Sequence, residues 1–124
     1  IVESYIYNPI SDEFYYSIDR EGKSYLNGNE IHVSETDRIE NALVTFGFSA
    51  NYMNINKYYE KWSYIFDNSK KGLGALSPAL NICNVARGRI DCFIDFGSSM
   101  EGHAGAALIL KNAGGAVLNY DLTP

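Results

Sequence analysis

The chain has 124 residues, of which 46% are hydrophobic and 14% aromatic, and its formal net charge is −5 at pH 7. This composition predicts one folded domain with one core and excludes an intrinsically disordered chain. The acidic balance argues against nucleic acid as a partner, because polyanion-binding proteins normally carry a basic patch. No apolar run approaches the roughly 20 residues of a membrane span, so a membrane is not an expected partner either.

The cysteines indicate the cellular location of the protein, and the first residue indicates whether the sequence is complete. Cys83 and Cys92 do not belong to a Cys/His cluster with zinc spacing. We interpret them as buried free thiols and expect a reducing, cytoplasmic location. The sequence begins with Ile1 rather than Met and opens directly into strand-like residues. We therefore expect that the natural beginning of the protein is missing.

The first third of the chain is predicted to form strands joined by tight turns, because β-formers alternate there with clusters of turn residues. In chain order these segments are the strand Ile1–Tyr7, the turn Asn8–Asp12, the strand Glu13–Asp19, the strand Lys23–Leu26 and the strand Glu30–Val33. The last two strands flank Asn27-Gly28-Asn29. Asn-Gly is the strongest short hairpin signal, so a hairpin is predicted at this point.

The rest of the chain is predicted to alternate buried strands with helices. Apolar residues of Asn54–Asp67 recur at the i, i+3, i+4 and i+7 spacing of a one-faced helix. A second helix is expected to begin at Ser77 with Pro78 in its first turn and to end before Gly88. The other predicted elements are a short helical turn around Arg38–Asn41, a strand over Ala42–Phe48, a strand over Arg89–Phe96, a helix from Ser98 to Gly114 and a strand over Ala116–Tyr120.

This order of elements predicts a mixed α/β layered domain, in which a β-meander is followed by β-α-α-β-α-β. Polar groups concentrate where such folds bind ligands, at the carboxyl end of a strand. Asp95 lies near such an end, and Glu101 and His103 lie at the beginning of the next helix. A helix N-terminus favours anions. Acidic residues there can equally serve only to stabilise the helix, so both interpretations of Glu101 stay open.

Four segments, taken in order, resemble the inositol monophosphatase superfamily, which includes the archaeal-type fructose-1,6-bisphosphatases. Tyr7-Asn8-Pro9 with Asp12-Glu13 is similar to a strand pair of the family, and Leu26–Ser34 is similar to its NG-x-x-I-x-VS hairpin. Val85–Asp91 matches the family pattern VA-x-G-x-x-D, and Ala104–Gly115 resembles the helix that carries the last family motif. The resemblance covers nearly the whole chain and corresponds to the C-terminal half of the family fold.

The resemblance implies a magnesium-dependent hydrolase that acts on a small phosphorylated sugar or inositol. In the family, Mg²⁺ activates a water for in-line attack and neutralises the phosphate. The main metal ligands of the family are a glutamate and an Asp-x-Asp-Gly-Thr motif, and neither has a counterpart in this sequence. We therefore interpret residues 1–124 as a partial domain and expect this fragment alone to be inactive, with no catalytic residue assigned. Whether the protein forms a homodimer is left open.

Family positions carry over to a few residues of this sequence. Asp95 matches an acidic residue that binds a substrate hydroxyl. Ser77, or Gly74-Ala75 just before it, matches a loop that lines the substrate pocket, although Ser77 can equally be only a helix cap. The last metal motif of the family, Trp-Asp, places its aspartate at Gly102. Because Mg²⁺ prefers oxygen ligands, Glu101 rather than His103 is expected to replace that aspartate as metal ligand.

Two other functions stay open beside the phosphatase. Gly102 favours a catalytically dead relative that acts as a binding or dimerisation module, since glycine offers no side-chain oxygen. The other alternative is an unrelated α/β binding domain. An intact acidic motif encoded upstream of Ile1 would favour the enzyme, and its absence would favour the module. His32, in the hairpin, is interpreted as an ordinary surface histidine.

Overall fold

The computed structural model of the chain describes residues 1–48, 55–74, 77–97, 103–119 and 123–124. The elements in chain order are β1 (Glu3–Asn8), β2 (Glu13–Ile18), β3 (Lys23–Leu26), β4 (Asn29–Glu30), β5 (Leu43–Phe48), α1 (Ile55–Asn68), β6 (Lys71–Gly74), α2 (Pro78–Ala86), β7 (Cys92–Phe96) and α3 (Ala104–Asn112). Short 3-10 turns occupy Asp19–Glu21 and Ile39–Asn41. The predicted mixed α/β fold is confirmed. None of the described helices is long and apolar enough to cross a membrane.

The first four strands form an antiparallel meander in the order β1-β2-β3-β4. Leu26 pairs with Asn29 across a two-residue turn, in which Asn27 has a φ of 48° and Gly28 a φ of 83°. Tight hairpin turns of this length need positive φ at both central residues, which Asn and Gly adopt most readily. The predicted hairpin is therefore confirmed.

A row of buried serines crosses the inner face of this sheet. Ser4 pairs with Ser17, and Ser17 pairs with Ser24. All three are at most 5% exposed. Helix α3 lies directly on this row, because Ser24 Oγ donates to the carbonyl of Ile109 at 2.6 Å and a Cβ at Gly105 would lie 2.9 Å from Ser4 Oγ. Small residues on the sheet and on the helix thus allow the two to pack closely.

The outer face of the same sheet carries aromatic rings instead. Tyr5 pairs with Tyr16 and Tyr16 with Tyr25, and their ring centroids are 6.4 Å and 4.8 Å apart. Successive side chains of a strand point to opposite faces. The alternation of Ser and Tyr along β2 therefore separates a close-packed inner face from an aromatic outer face.

The second sheet is parallel, with β5 between β6 and β7. Its two faces contact different cores, as the alternation along β7 predicts. Ile94 and Phe96 pack with Val44 against residues of α1. Phe93 packs on the opposite side, in the core formed by α2, α3 and the antiparallel sheet. Among the described residues β7 pairs only with β5, so it is the outermost strand of this sheet within the described part of the chain.

Some elements differ from the predictions. Strand β6 was not predicted, because Lys71–Gly74 has no apolar alternation and pairs with β5 through its backbone. The predicted strand Arg89–Phe96 begins only at Cys92, since the N–H groups of Arg89 and Ile90 still bond the carbonyl of Asn84 in a turn. Residues 116–119 of the predicted last strand have no regular structure, and residue 120 lies outside the described residues.

Candidate functional site

The candidate site lies at the carboxyl edge of the parallel sheet. Because β5, β6 and β7 run in the same direction, their carboxyl ends meet at this edge, where open α/β sheets bind ligands. Asp95 lies there on β7, opposite Gly47 of β5. Ser77 follows β6 and begins α2, and His103 follows β7 and begins α3. The topology thus brings both predicted substrate-binding residues, Asp95 and Ser77, to one edge.

Asp95 is held at this edge by a histidine. His103 Nε2 lies 2.9 Å from Asp95 Oδ2, and the two side chains are 26% and 18% exposed. On the other side, a Cβ at Gly47 would lie 3.8 Å from Asp95 Oδ1 and 3.4 Å from the Phe93 ring. The Asp95 carboxylate therefore lies between His103, which precedes α3, and Gly47 of β5, which has no side chain.

Ser77 is the N-cap of α2. Its backbone is extended, with φ −115° and ψ 111°, and its Oγ accepts a hydrogen bond from the N–H of Leu80 at 3.3 Å. Pro78 occupies the first turn, as predicted. The capping interpretation of Ser77 is confirmed, whereas a contact of Ser77 with substrate stays a prediction.

The predicted metal ligand Glu101, with Gly102 beside it, lies outside the described residues. Within the described ranges, no group of three or more His, Cys, Asp or Glu side chains could hold a metal ion. Asp95 and His103 supply one carboxylate and one imidazole, whereas Mg²⁺ prefers oxygen ligands, usually one or two carboxylates together with waters and substrate phosphate oxygens. The described residues alone do not fit a complete magnesium site.

The aspartate of the VA-x-G-x-x-D pattern has a structural role that the sequence analysis missed. Ser34 Oγ donates to Asp91 Oδ1, and the N–H of Leu43 donates to Asp91 Oδ2 at 2.7 Å. Burial alone would raise the pKa of Asp91, but hydrogen bonds from Ser34, Leu43 and Thr36 together lower it below its ordinary value. Asp91 thereby joins the segment after the meander to the beginning of β5.

The glycine of the same pattern is required by a close backbone approach. Gly88 has a φ of 76°, and a Cβ there would lie 3.1 Å from both the carbonyl oxygen of His32 and the nitrogen of Ser34. This confirms the predicted C′ position of Gly88 after α2. The side chain of His32 is 70% exposed and lies 3.7 Å from a carboxylate oxygen of Glu30, which agrees with its interpretation as a surface residue.

A second polar cluster lies between α2 and the antiparallel sheet and was also missed. The Arg87 guanidinium contacts the carboxylate of Glu13 and donates to the Tyr15 hydroxyl at 3.3 Å. The pKa of Glu13 is lowered by a hydrogen bond from Ser11 and by Arg87, against the opposing effect of burial. This cluster joins the C-terminus of α2 to β2.

Comparison with known proteins identifies close similarity over the whole chain. The sequence model described as the inositol monophosphatase family matches residues 1–124. Inositol monophosphatase 3 of Solanum lycopersicum is 34% identical over 127 aligned residues, which cover 95% of this chain and 47% of that protein. The solved structure of inositol monophosphatase from Anabaena (Nostoc) sp. PCC 7120 superposes with a TM-score of 0.87 at 27% identity, over 97% of this chain and 48% of that one. The chain spans about half the length of the curated relatives it matches.

Proposed function

Because the chain belongs to the inositol monophosphatase family, we propose that it is the C-terminal portion of a phosphatase for small sugar or inositol phosphomonoesters. The observation that carries this proposal is Asp95, at the carboxyl edge of the parallel sheet and hydrogen-bonded to His103. An ionised carboxylate is an acceptor only, so it suits a substrate hydroxyl better than a phosphate. We propose that Asp95 binds such a hydroxyl and that Ser77 lines the same pocket.

We propose Mg²⁺ as the cofactor of the complete protein, with Glu101 as one ligand. Glutamate is one methylene longer than aspartate, so it can reach from position 101 to the place of the family aspartate. Gly102 leaves room for that reach because it has no side chain. The remaining ligands would come from the part of the protein that this chain does not contain, as residues 1–124 lack the main acidic motif.

The first experiment measures phosphate release by the purified 124-residue chain. We expect no release from inositol 1-phosphate or fructose 1,6-bisphosphate at any Mg²⁺ concentration, because the main acidic motif is absent. Magnesium-dependent turnover by this chain, free of contaminating enzyme, would contradict the proposal that it is an inactive portion.

The second experiment uses the complete protein with Glu101→Gln, which keeps the shape of the side chain and removes its charge. The ligand role requires weaker Mg²⁺ binding and a large fall in turnover. The matched control is Glu40→Gln, a side chain that is 52% exposed and paired with Arg38. If Glu101→Gln changes stability slightly and leaves Mg²⁺ affinity unchanged, Glu101 only stabilises the helix end, an effect of about 0.3–1 kcal/mol.

Gly102 supports one alternative, a catalytically dead relative that serves as a binding or dimerisation module. A complete protein that binds inositol 1-phosphate but releases no phosphate with Mg²⁺ would establish this alternative. Size-exclusion chromatography of the same protein tests whether it is a homodimer.

We further propose a reducing, cytoplasmic setting. Cys83 and Cys92 are both free thiols, but only Cys83 is buried, whereas Cys92 is half-buried. Burial raises the pKa of Cys83 to about 12. A thiol with such a pKa stays neutral at physiological pH and is a poor nucleophile. Cell fractionation with an antibody to the complete protein tests this location.

A further inference from the structure

We propose that the outer face of the antiparallel sheet is the surface on which the preceding portion of the complete protein packs. This inference rests on the proposed function, in which residues 1–124 are the C-terminal portion of a longer phosphatase. It is carried by a cluster of aromatic side chains that share this face of β1, β2 and β3. The cluster consists of Tyr5, Tyr7, Phe14, Tyr16 and Tyr25.

The rings of this cluster form one continuous patch. The Phe14 ring centroid lies 6.0 Å from that of Tyr5, 6.4 Å from that of Tyr7 and 5.8 Å from that of Tyr16. Nevertheless Tyr5 is 55%, Tyr7 52% and Phe14 39% exposed. Burying a ring of this kind removes about 150–250 Å² from water. Because a sheet normally buries its apolar surface against another layer, a continuous aromatic patch left exposed indicates an interaction surface.

The polar groups at the rim of the patch are already paired within the chain. The Tyr5 hydroxyl donates to a carboxylate oxygen of Glu3 at 3.1 Å, and the Tyr7 hydroxyl donates to Asp12 Oδ1 at 2.8 Å. A hydroxyl has only one hydrogen to donate, so these bonds use the donors at this rim. What remains for a partner is mainly the apolar surface of the rings, which suits an apolar protein surface better than a polar small molecule.

The preceding portion of the same protein has both the size and the position to cover this patch. The aligned residues make up 95% and 97% of this chain but only 47% and 48% of the two relatives described above. Those relatives thus contain about as many residues again. A preceding portion would join the chain at Ile1, two residues before β1, and β1 carries Tyr5 and Tyr7. It would therefore meet this chain at the antiparallel sheet.

A second copy of this chain is a less suitable occupant. In a two-fold contact the same surface meets itself. The carboxylates of Glu3 and Asp12, at the rim of the patch, would then approach the same groups of the partner, and like charges brought together at an interface oppose association. The net charge of −5 on each copy acts in the same direction.

The first measurement is hydroxyl-radical footprinting of the complete protein, read by mass spectrometry, because the oxidation of a tyrosine ring follows its access to solvent. Tyr64 of α1, which is 65% exposed, is the matched control. We expect Tyr5 and Tyr7 to be oxidised about fivefold more slowly than Tyr64, as for rings whose exposure falls from about half to about a tenth. Oxidation of Tyr5 and Tyr7 as fast as that of Tyr64 would overturn the proposal. Protection that disappears on dilution would also overturn it, since it would identify a second copy as the occupant.

The second measurement compares the thermal midpoints of Tyr7→Gln and Tyr64→Gln in the complete protein. Glutamine is polar and uncharged, so it disfavours burial without adding a like charge beside Asp12. We expect Tyr7→Gln to lower the midpoint by about 5 °C and Tyr64→Gln by at most about 1 °C. Equal shifts would contradict the proposal. If Tyr7→Gln does not fold, footprinting of the wild-type protein decides. Neither measurement uses phosphatase activity, so a complete protein that hydrolyses no phosphomonoester refutes the proposed function without deciding this inference.

Discussion

Replacing Asp91 with asparagine is expected to destabilise the fold by about 2 kcal/mol at neutral pH. Asp91 accepts one hydrogen bond from the Leu43 N–H at 2.7 Å and another from the Ser34 hydroxyl. Hydrogen bonds to a charged group contribute about 1.5–3 kcal/mol each, and neutral ones about 0.5–1.5 kcal/mol. Asparagine keeps the shape but only one acceptor oxygen, so one of the two bonds is lost and the other loses its charge assistance. In a chain of this length the midpoint of thermal unfolding should fall by about 8 °C.

The same change should make stability less dependent on pH. Burial raises the pKa of Asp91, but the hydrogen bonds outweigh it and leave the folded-state pKa below the ordinary value. A lowered folded-state pKa gives stability that is fully present above the unfolded pKa of about 3.9 and is lost as the pH falls through the folded value. The gap between wild type and Asp91→Asn should therefore be largest at pH 7 and shrink below about pH 4. Urea unfolding followed by circular dichroism at pH 7 and pH 3 measures this gap.

The matched control is Asp19→Asn. The Asp19 side chain is 45% exposed and lies 3.9 Å from Lys111, so its replacement should lower the free energy of unfolding by at most about 0.5 kcal/mol. If Asp91→Asn is no less stable than Asp19→Asn at pH 7, the hydrogen bonds of Asp91 do not stabilise the fold. A gap that persists unchanged at pH 3 would refute the electrostatic part of the reasoning.

Local contacts give three further predictions, of which two are tested by the same unfolding assay and one by a thiol reagent. Gly88→Ala should lower the free energy of unfolding by about 2–4 kcal/mol, because the positive φ and a backbone contact at 3.1 Å both disfavour a Cβ there. Gly22 has a similar φ but open space around it, so Gly22→Ala should lower the free energy of unfolding by only about 1 kcal/mol. The difference between the two variants measures the effect of the backbone contact. Ser77→Ala should cost about 1 kcal/mol by removing the cap of α2, with or without Mg²⁺. Cys83, which is 0% exposed, should react with a thiol reagent only after unfolding, and rapid reaction in the native chain would contradict its burial.

The sequence predicted those elements whose structure is determined by residues close to one another in the chain. The meander follows from alternation and from Asn27-Gly28, and α2 follows from Ser77, Pro78 and Gly88. Strand β6 could not be predicted, because Lys71–Gly74 gains its strand conformation from backbone pairing with the distant β5. The predicted last strand failed for the converse reason: Val117 and Leu118 have β propensity but are 56% and 51% exposed and have no partner strand among the described residues.

The candidate site, too, was predicted only in part. The position of Asp95 at a strand end follows from the order of elements, whereas its pairing with His103 depends on how the chain turns between β7 and α3. The signal was present, since His103 follows Asp95 at the start of the next helix, but helix position alone does not specify a partner. Asp91 was identified only by resemblance, because its partners Ser34 and Leu43 lie about fifty residues earlier in the sequence. The ligand role of Glu101 stays a prediction.

The candidate site lies on the parallel sheet, but it also depends on the register of the antiparallel sheet, because α3 packs on the serine row of that sheet. A slip of one residue in β2 would exchange Ser17 for a neighbour such as Tyr16 at the inner face, since side chains alternate along a strand. A large ring there would lift α3, and His103 with it, whereas Asp95 belongs to the other sheet and would stay in place. The Asp19–Glu21 turn joins β2 to β3 and thereby helps to set this register. Changes at that turn would thus alter the contact between His103 and Asp95 without touching any residue of the site.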